Sequence, residues 1–236
     1  MTNKYDNFTD IPFITNNLDR YFIRTSIFNF IKKSLTYFKG SLLDVGCGQM
    51  PYRKYIFENS QIETYTGLDI DTAIEYNKDI RPDYTWDGKT IPFSNESYDT
   101  LIATEVLEHC PYPAEILQEM KRVLKKDGYI FLSMPFLWPL HETPHDEYRY
   151  TPFAVKRLFE EAGFRDIKIY AGGGWHASMA QMLGLWVRRS GLSAKKKKYL
   201  SVILKPIIKY LLKKDKPPTN FHEGLMITNL FVQAIK

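Results

Sequence analysis

Cysteine is scarce in this sequence. Cys47 and Cys110 are the only two in 236 residues, and their spacing fits no disulfide framework. A stapled extracellular scaffold is therefore excluded, and a reduced, cytoplasmic setting is the expectation. Long apolar runs are missing as well: no window nears the ~18 uninterrupted residues that a membrane span needs. The opening MTNKYDNFTD lacks a basic stretch followed by an apolar run, so no signal peptide is expected. Basic charge spread over the whole chain is absent too. Residues 190–216 hold nine Lys and one Asp, a local +8, so the remainder carries −3 within an overall +5. A body this mildly acidic is not expected to bind nucleic acid. The charge points to one local basic element.

What is present suits a single α/β domain with a full core, since 44% of residues are hydrophobic and 15% aromatic. Residues 1–17 show no period and read as a loosely packed arm. From Leu18 to Phe38, apolar residues recur at three- and four-residue steps, which predicts an amphipathic helix ended by Gly40. Strand patterns then follow at 41–47, 64–70, 84–86, 98–106, 129–135, 164–171 and 226–235. Helices are expected between them, one opened by Pro113 and closed at Gly128, another opened by Thr151-Pro152. This alternation predicts a Rossmann-like, seven-stranded, mostly parallel sheet with helices on both faces. Some fifty residues separate the last two strands and are themselves helical in pattern. The expected organisation is an arm and helix over 1–40, a core over 41–171 and 226–236, and a helical insertion over 172–225.

Ligands of such sheets bind at the carboxyl ends of the strands near the switch point. The first strand ends in 44-DVGCGQMPY-52. Gly46 and Gly48 allow a sharp turn and close backbone approach. Pro51 stands where the dinucleotide fingerprint wants a third glycine, and no G-K-[ST] follows, so the signal for a phosphate is weak. Asp44 suits a cationic or amino group better than a pyrophosphate. Asp69 closes the second strand near the offset at which a carboxylate accepts from ribose hydroxyls. The implied ligand is a nucleoside with a positively charged tail.

DVGCG, GLDI, 86-WDGKTIPF-93, 98-YDTLIATEVLEH-109 and 123-VLKKDGYIFLSMP-135, in this order, resemble the class I S-adenosylmethionine-dependent methyltransferases. The nearest type is the small-molecule branch with D-x-G-x-G and E-x-L-E-H. The resemblance implies S-adenosylmethionine as cofactor, with the backbone of Gly46 and Gly48 along its methionine part and Asp44 bearing on that end. It implies Asp69 on the ribose, Ile70 packed on the adenine, and Asp87 accepting from the adenine amino group. Thr104 and Glu105 would border the methyl-transfer cleft, with His109 just beyond. Each has a plainer reading: Asp44 as a helix cap, Asp69 as a loop acid, Asp87-Gly88 as a turn, Glu105, Glu108 and His109 as helix-entry residues.

The stretch 141-HETPH-145 matches H-E-x-x-H, the pattern of zinc proteases. That chemistry needs both histidines one turn apart on a real helix. Pro144 between them and Pro139 before them oppose a helix, so the stretch reads as a loop after the fifth strand. The loop from Phe136 to Pro152 gathers aromatics, acids, His141, His145 and Arg149 at the ligand edge. It resembles a stretch in methyltransferases encoded with surface-polysaccharide enzymes. If the acceptor is a hydroxyl, His141 or His145 can act as base, with Asp146 or Glu142 orienting the ring. Arg149 can clamp an anionic substrate group, or can form a structural ion pair with Asp146. His141, His145 and an acid could also hold a metal ion, but no metal site is expected.

In the insertion, glycines 172–174 precede one helical pattern, in which Trp175 is expected in the core. A second follows in 195-KKKKYLSVILKPIIKYLLKK-214, with Pro206 expected to kink it. Lysines line one side and apolar residues another. Such a helix can be a lid or a peripheral contact with an anionic membrane. The expected function is O-methylation of a sugar, a polysaccharide precursor or another small acceptor. The alternatives are C- or N-methylation of a quinone or other metabolite, and a non-catalytic cofactor-binding or membrane-surface module. The acceptor and the oligomeric state stay open.

Overall fold

The computed structural model describes residues 8–71 and 80–236; residues 1–7 of the expected arm lie outside these. Among the described residues, seven strands form one sheet: β1 (Lys39–Val45), β2 (Gln61–Ile70), β3 (Tyr84–Trp86), β4 (Tyr98–Thr104), β5 (Leu124–Pro135), β6 (Arg165–Ala171) and β7 (Asn229–Ile235). Their order is β3-β2-β1-β4-β5-β7-β6. β1 is flanked by parallel partners, with Asp44 opposite Gly67 of β2 and Ile102 of β4. The chain leaves β1 toward β2 and β3 on one side and later returns to β4 on the other. The carboxyl end of β1 is therefore a switch point, the place where sheets of this kind bind ligands. β1 has Leu42, Leu43 and Val45 almost wholly buried, as a strand covered on both faces requires.

The helices are α1 (Tyr21–Ser34), α2 (Arg53–Asn59), α3 (Pro113–Val123), α4 (Pro152–Glu161), α5 (Trp175–Arg189) and α6 (Ala194–Lys214). α3 begins on Pro113 and buries Ile116, Leu117, Met120 and Val123, a three- and four-residue rhythm. It stops at Val123 because the chain enters β5 there, five residues before the Gly128 expected to end it. α4 is capped by Thr151, whose Oγ1 accepts from the Ala154 N–H at 3.2 Å. α6 runs through Pro206, an exposed position, as one helical span.

Two compact units divide the chain. One holds the residues up to Phe30, Phe136–Trp138 and Tyr170–Leu230; the other holds Ile31–Pro135, Pro139–Ile169 and Phe231–Lys236. In the first, the segment before α1 is more tightly held than its sequence suggests. Ile11 and Asn17 are buried, and the Asn17 side chain donates to the Pro12 carbonyl at 3.1 Å. Trp175, expected in the core, is exposed, and its Nε1 donates to the Gly224 carbonyl at 2.8 Å.

Candidate active site

The loop after β1 is shaped by two glycines in the left-handed region. Gly46 has φ +66°, and a Cβ there would stand 2.4 Å from Cγ2 of Val106, so no side chain fits. Its N–H and that of Cys47 donate to the Leu68 carbonyl of β2 at 2.8 and 3.2 Å. Gly48 has φ +49°, yet a Cβ there would meet nothing within 4 Å. The first glycine satisfies packing and the second leaves open space.

Asp44 lies beneath this loop, 2% exposed, and accepts a short hydrogen bond from the Tyr65 hydroxyl. Burial pushes its carboxyl up to about 7, against the Tyr65 bond and with a smaller push from the Asp69 charge. Asp69 closes β2. One of its oxygens accepts from the Gly48 N–H at 2.8 Å and the other from the Ile70 N–H at 2.9 Å. Burial raises its pKa, and these two N–H groups oppose the rise. Asp69 thus ties the glycine loop to the strand end, beyond the ribose contact expected of it. Ile70 is an apolar residue left 41% exposed at the sheet edge. A Cβ on Gly88 would lie 3.5 Å from Ile70 Cγ2, so the Asp87-Gly88 turn runs beside it. Asp87 Oδ1 accepts from the N–H groups of Lys89 and Thr90 at 2.9 and 3.1 Å. Its plainer reading as a turn former holds for that oxygen.

At the end of β4, Thr104 is followed by Glu105 at φ +57°, an uncommon setting for a side chain that large. The Glu105 N–H donates to the Ser133 carbonyl at 3.0 Å, and Ser133 Oγ donates to Glu105 Oε1 at 2.7 Å. A 3-10 turn over Leu107–His109 then buries Glu108 completely. Neither of its carboxylate oxygens has a hydrogen-bond partner among the described residues. Burial, reinforced by the Glu105 charge, holds its pKa well above the usual range, with Arg149 opposing.

HETPH is not helical; its His145 N–H donates to the Glu142 carbonyl at 3.1 Å, closing a turn. The two histidines accordingly play different parts. His141 Nδ1 lies 3.2 Å from Asp146 Oδ2, which also accepts from the His141 backbone N–H at 3.1 Å. A carboxylate only accepts, so Nδ1 carries the proton and Nε2 is the basic nitrogen. Arg149 grips Asp146 with both terminal nitrogens, at 2.6 and 2.8 Å, and also donates to the Tyr148 and Pro139 carbonyls. Burial would raise the Asp146 pKa, but these donors bring it to about 2. Burial lowers the pKa of His141 below its ordinary 6.5, more than Asp146 raises it. Arg149, read as a substrate clamp or an ion pair, here spends its fork on Asp146. His145 is exposed and supplies its backbone carbonyl to His109 Nδ1 at 3.0 Å.

His109 therefore belongs to the loop as much as to β4. Its ring meets that of His141 edge-on, centroids 4.7 Å apart. Its Nε2 lies 3.8 Å from both Glu108 Oε1 and Glu142 Oε2. One ligand atom from each of Glu108, His109 and His141 falls within 4.8 Å of the others, a set that could hold a metal ion. Tyr65 and Ser133 escaped the sequence reading, because their partners lie 21 and 28 residues away. Glu108 was visible only as one acid in E-x-L-E-H, and its burial has no local signal.

Residues 43–132 match the family model described as a methyltransferase domain. Over 126 residues the chain is 30% identical to the ubiquinone biosynthesis O-methyltransferase of Haemophilus ducreyi, covering 45% of this chain and 50% of that protein. The chain spans half or less of the first curated relatives it matches, at 45, 36 and 50% of their lengths. Among solved structures it is similar to an S-adenosylmethionine-dependent methyltransferase of Archaeoglobus fulgidus, with TM-score 0.54 at 18% identity over 94% of this chain and 97% of that one. It is similar also to Haemonchus contortus phosphoethanolamine N-methyltransferase 2 in complex with S-adenosyl-L-methionine, with TM-score 0.54 at 15% identity over 96% of this chain and 60% of that one. The segment from β1 into β5 thus matches a methyltransferase domain, on the fold shared with S-adenosylmethionine-dependent methyltransferases.

Proposed function

We propose that the chain is an S-adenosylmethionine-dependent methyltransferase that methylates a hydroxyl of a small or glycan-type acceptor. The cofactor fits the residues present: the open space at Gly48 in the loop after β1 adjoins, through the Gly48 N–H bond to Asp69, the carboxylate of Asp69 and the exposed apolar Ile70 at the end of β2. When bound, the cofactor supplies an electrophilic methyl group on sulfur. The backbone of Gly46 and Gly48 would line its methionine part above Asp44. Asp69 would accept from the ribose hydroxyls with lone pairs not used by Gly48 and Ile70. Ile70 would pack on the base, and Asp87 would accept from its amino group through Oδ2. Thr104 and Glu105 would border the transfer position.

The observation that carries the hydroxyl reading is the His141–Asp146 pair. An alcohol must lose its proton as its oxygen takes the methyl. His141, neutral near pH 7, would take that proton on Nε2, and Asp146 would stabilise the imidazolium and fix the tautomer. Arg149 keeps Asp146 anionic for that task. The name of the Haemophilus ducreyi relative, an O-methyltransferase, agrees with an oxygen acceptor. Calorimetric titration of S-adenosylmethionine and S-adenosylhomocysteine into wild type and Asp69→Ala tests the cofactor site. One-site binding lost in the variant is the expected result; no binding to folded wild type would overturn the reading. A panel of sugar, phenol and amine acceptors then tests the acceptor class. Turnover of amines alone, indifferent to His141→Gln, would replace the hydroxyl acceptor with nitrogen.

A further inference from the structure

α5 and α6 form a helical hairpin whose inner faces are packed. Leu18, Ala180, Val187 and Ile208 make a buried cluster, with Leu204 and Leu211 packed against it. Gly184 lets α5 approach the chain at Leu18, where a Cβ would stand 2.1 Å from the carbonyl oxygen. Gln181 donates to the Asp19 carbonyl at 2.6 Å, and Arg189 pairs with Asp19 at 2.9 Å. A surface helix held this way ordinarily shows polar residues to water.

These helices show rows of large apolar residues as well. On α5 the outward residues are Trp175, Met179, Met182 and Trp186, at steps of four, three and four, each 47–57% exposed. On α6 they are Tyr199, Val202, Ile203, Ile207 and Tyr210, each 43–69% exposed. Neither row can be core, because the opposite face of each helix already fills that role. Charge surrounds the second row: α6 carries eight lysines and no acid. The next acid along the chain, Asp215, accepts from the N–H groups of Gly174 and Ala177 at the start of α5. No helix among the described residues is long and apolar enough to cross a membrane.

We propose that the outer face of the α5–α6 hairpin docks on an anionic lipid surface. Trp, Tyr and Met suit the boundary between headgroups and acyl chains. Lysines beside them keep their ammonium groups at headgroup level while their stems lie along apolar surface. Charge selects this occupant over a second copy of the chain, since pairing two such faces would set lysine rows against each other.

The test is co-sedimentation of the full chain with phosphatidylcholine vesicles, with and without about one-third phosphatidylglycerol. Binding to the anionic vesicles, reversed by high salt and accompanied by a blue shift of tryptophan emission, is expected. Ile203→Ser with Ile207→Ser should abolish binding, and each of Lys198→Gln, Lys209→Gln and Lys213→Gln should weaken it about fivefold. Retained circular dichroism and unchanged S-adenosylhomocysteine binding in these variants separate this outcome from loss of the fold or of the cofactor site. Equal binding to neutral vesicles, no binding by folded wild type, or concentration-dependent dimerisation without lipid binding would each overturn the proposal.

Discussion

At the residue scale, the loop histidine and the buried aspartate under the glycine turn titrate in opposite senses. Burial holds His141 below its ordinary 6.5, so the folded state favours its neutral form. The stability this contributes is present above the ordinary value and lost as pH falls through the folded one. In an assay with the true acceptor, kcat/KM should rise with pH to a plateau, with its acid limb centred below 6.5. His141→Gln should lower the plateau about 10²–10⁴-fold and remove the limb. Asp44 is the converse. Its carboxyl is raised to about 7, so the folded state favours the protonated form. That contribution is fully present below the ordinary 3.8 and lost as pH rises through about 7. Asp44→Asn keeps an acceptor for the Tyr65 hydroxyl. It should raise the melting temperature at pH 8 by several degrees, at about 2–4 °C per kcal/mol, with little change near pH 4. A variant that melts earlier at pH 8 would show that the buried charge has a partner beyond Tyr65.

The elements differ in how far local pattern reveals them. β1, β3, β4 and β6 fall within two residues of the expected strands, and β2 and β7 within three. β1 and β4 show as continuous apolar runs because both faces are covered, whereas β3 and β6 are mostly exposed strands at the two ends of the sheet. α2 went unread: it has seven residues and one buried position, Ile56, too few for a period to show. β5 begins five residues earlier than expected. Its polar start, Leu124–Asp127, resembles a helix end and becomes strand by pairing with β4, Tyr98 opposite Leu124. The turn after β1 offers a paired test. Gly46→Ala would force a Cβ into Val106 as well as a side chain at positive φ, and should cost about 2–5 kcal/mol and the cofactor site with it. Gly48→Ala has open space around the new methyl and should cost only the ~1–2 kcal/mol of the left-handed backbone. Thermal melting with and without S-adenosylhomocysteine measures both, and equal losses would refute the distinction.

For the whole molecule, the two proposed surfaces belong to different units and should respond to different ligands. The glycine turn, Asp69 and the loop histidines lie in one unit, and α5 and α6 in the other. In hydrogen exchange, S-adenosylhomocysteine should slow amides over residues 44–70 and leave residues 199–210 unchanged. Anionic vesicles should do the reverse. Protection of both segments by one ligand would mean that the two surfaces are coupled.

The sequence by itself determined the alternating order of strands and helices, the glycine turn between two aspartates and the basic helix before the last strand. These are properties of neighbours in the chain, and periodicity or spacing of a few residues is enough to express them. Only the tertiary structure decided which loop histidine meets Asp146, that His109 joins that loop, that Glu108 is wholly buried and that Tyr65 bonds to Asp44. It also decided which face of α6 packs and which is left to water. The physical reason is that such contacts depend on strand order and on the path of a proline-broken loop. His109 reaches the His145 carbonyl across 36 residues because β4 and β5 are parallel neighbours that end at the same edge.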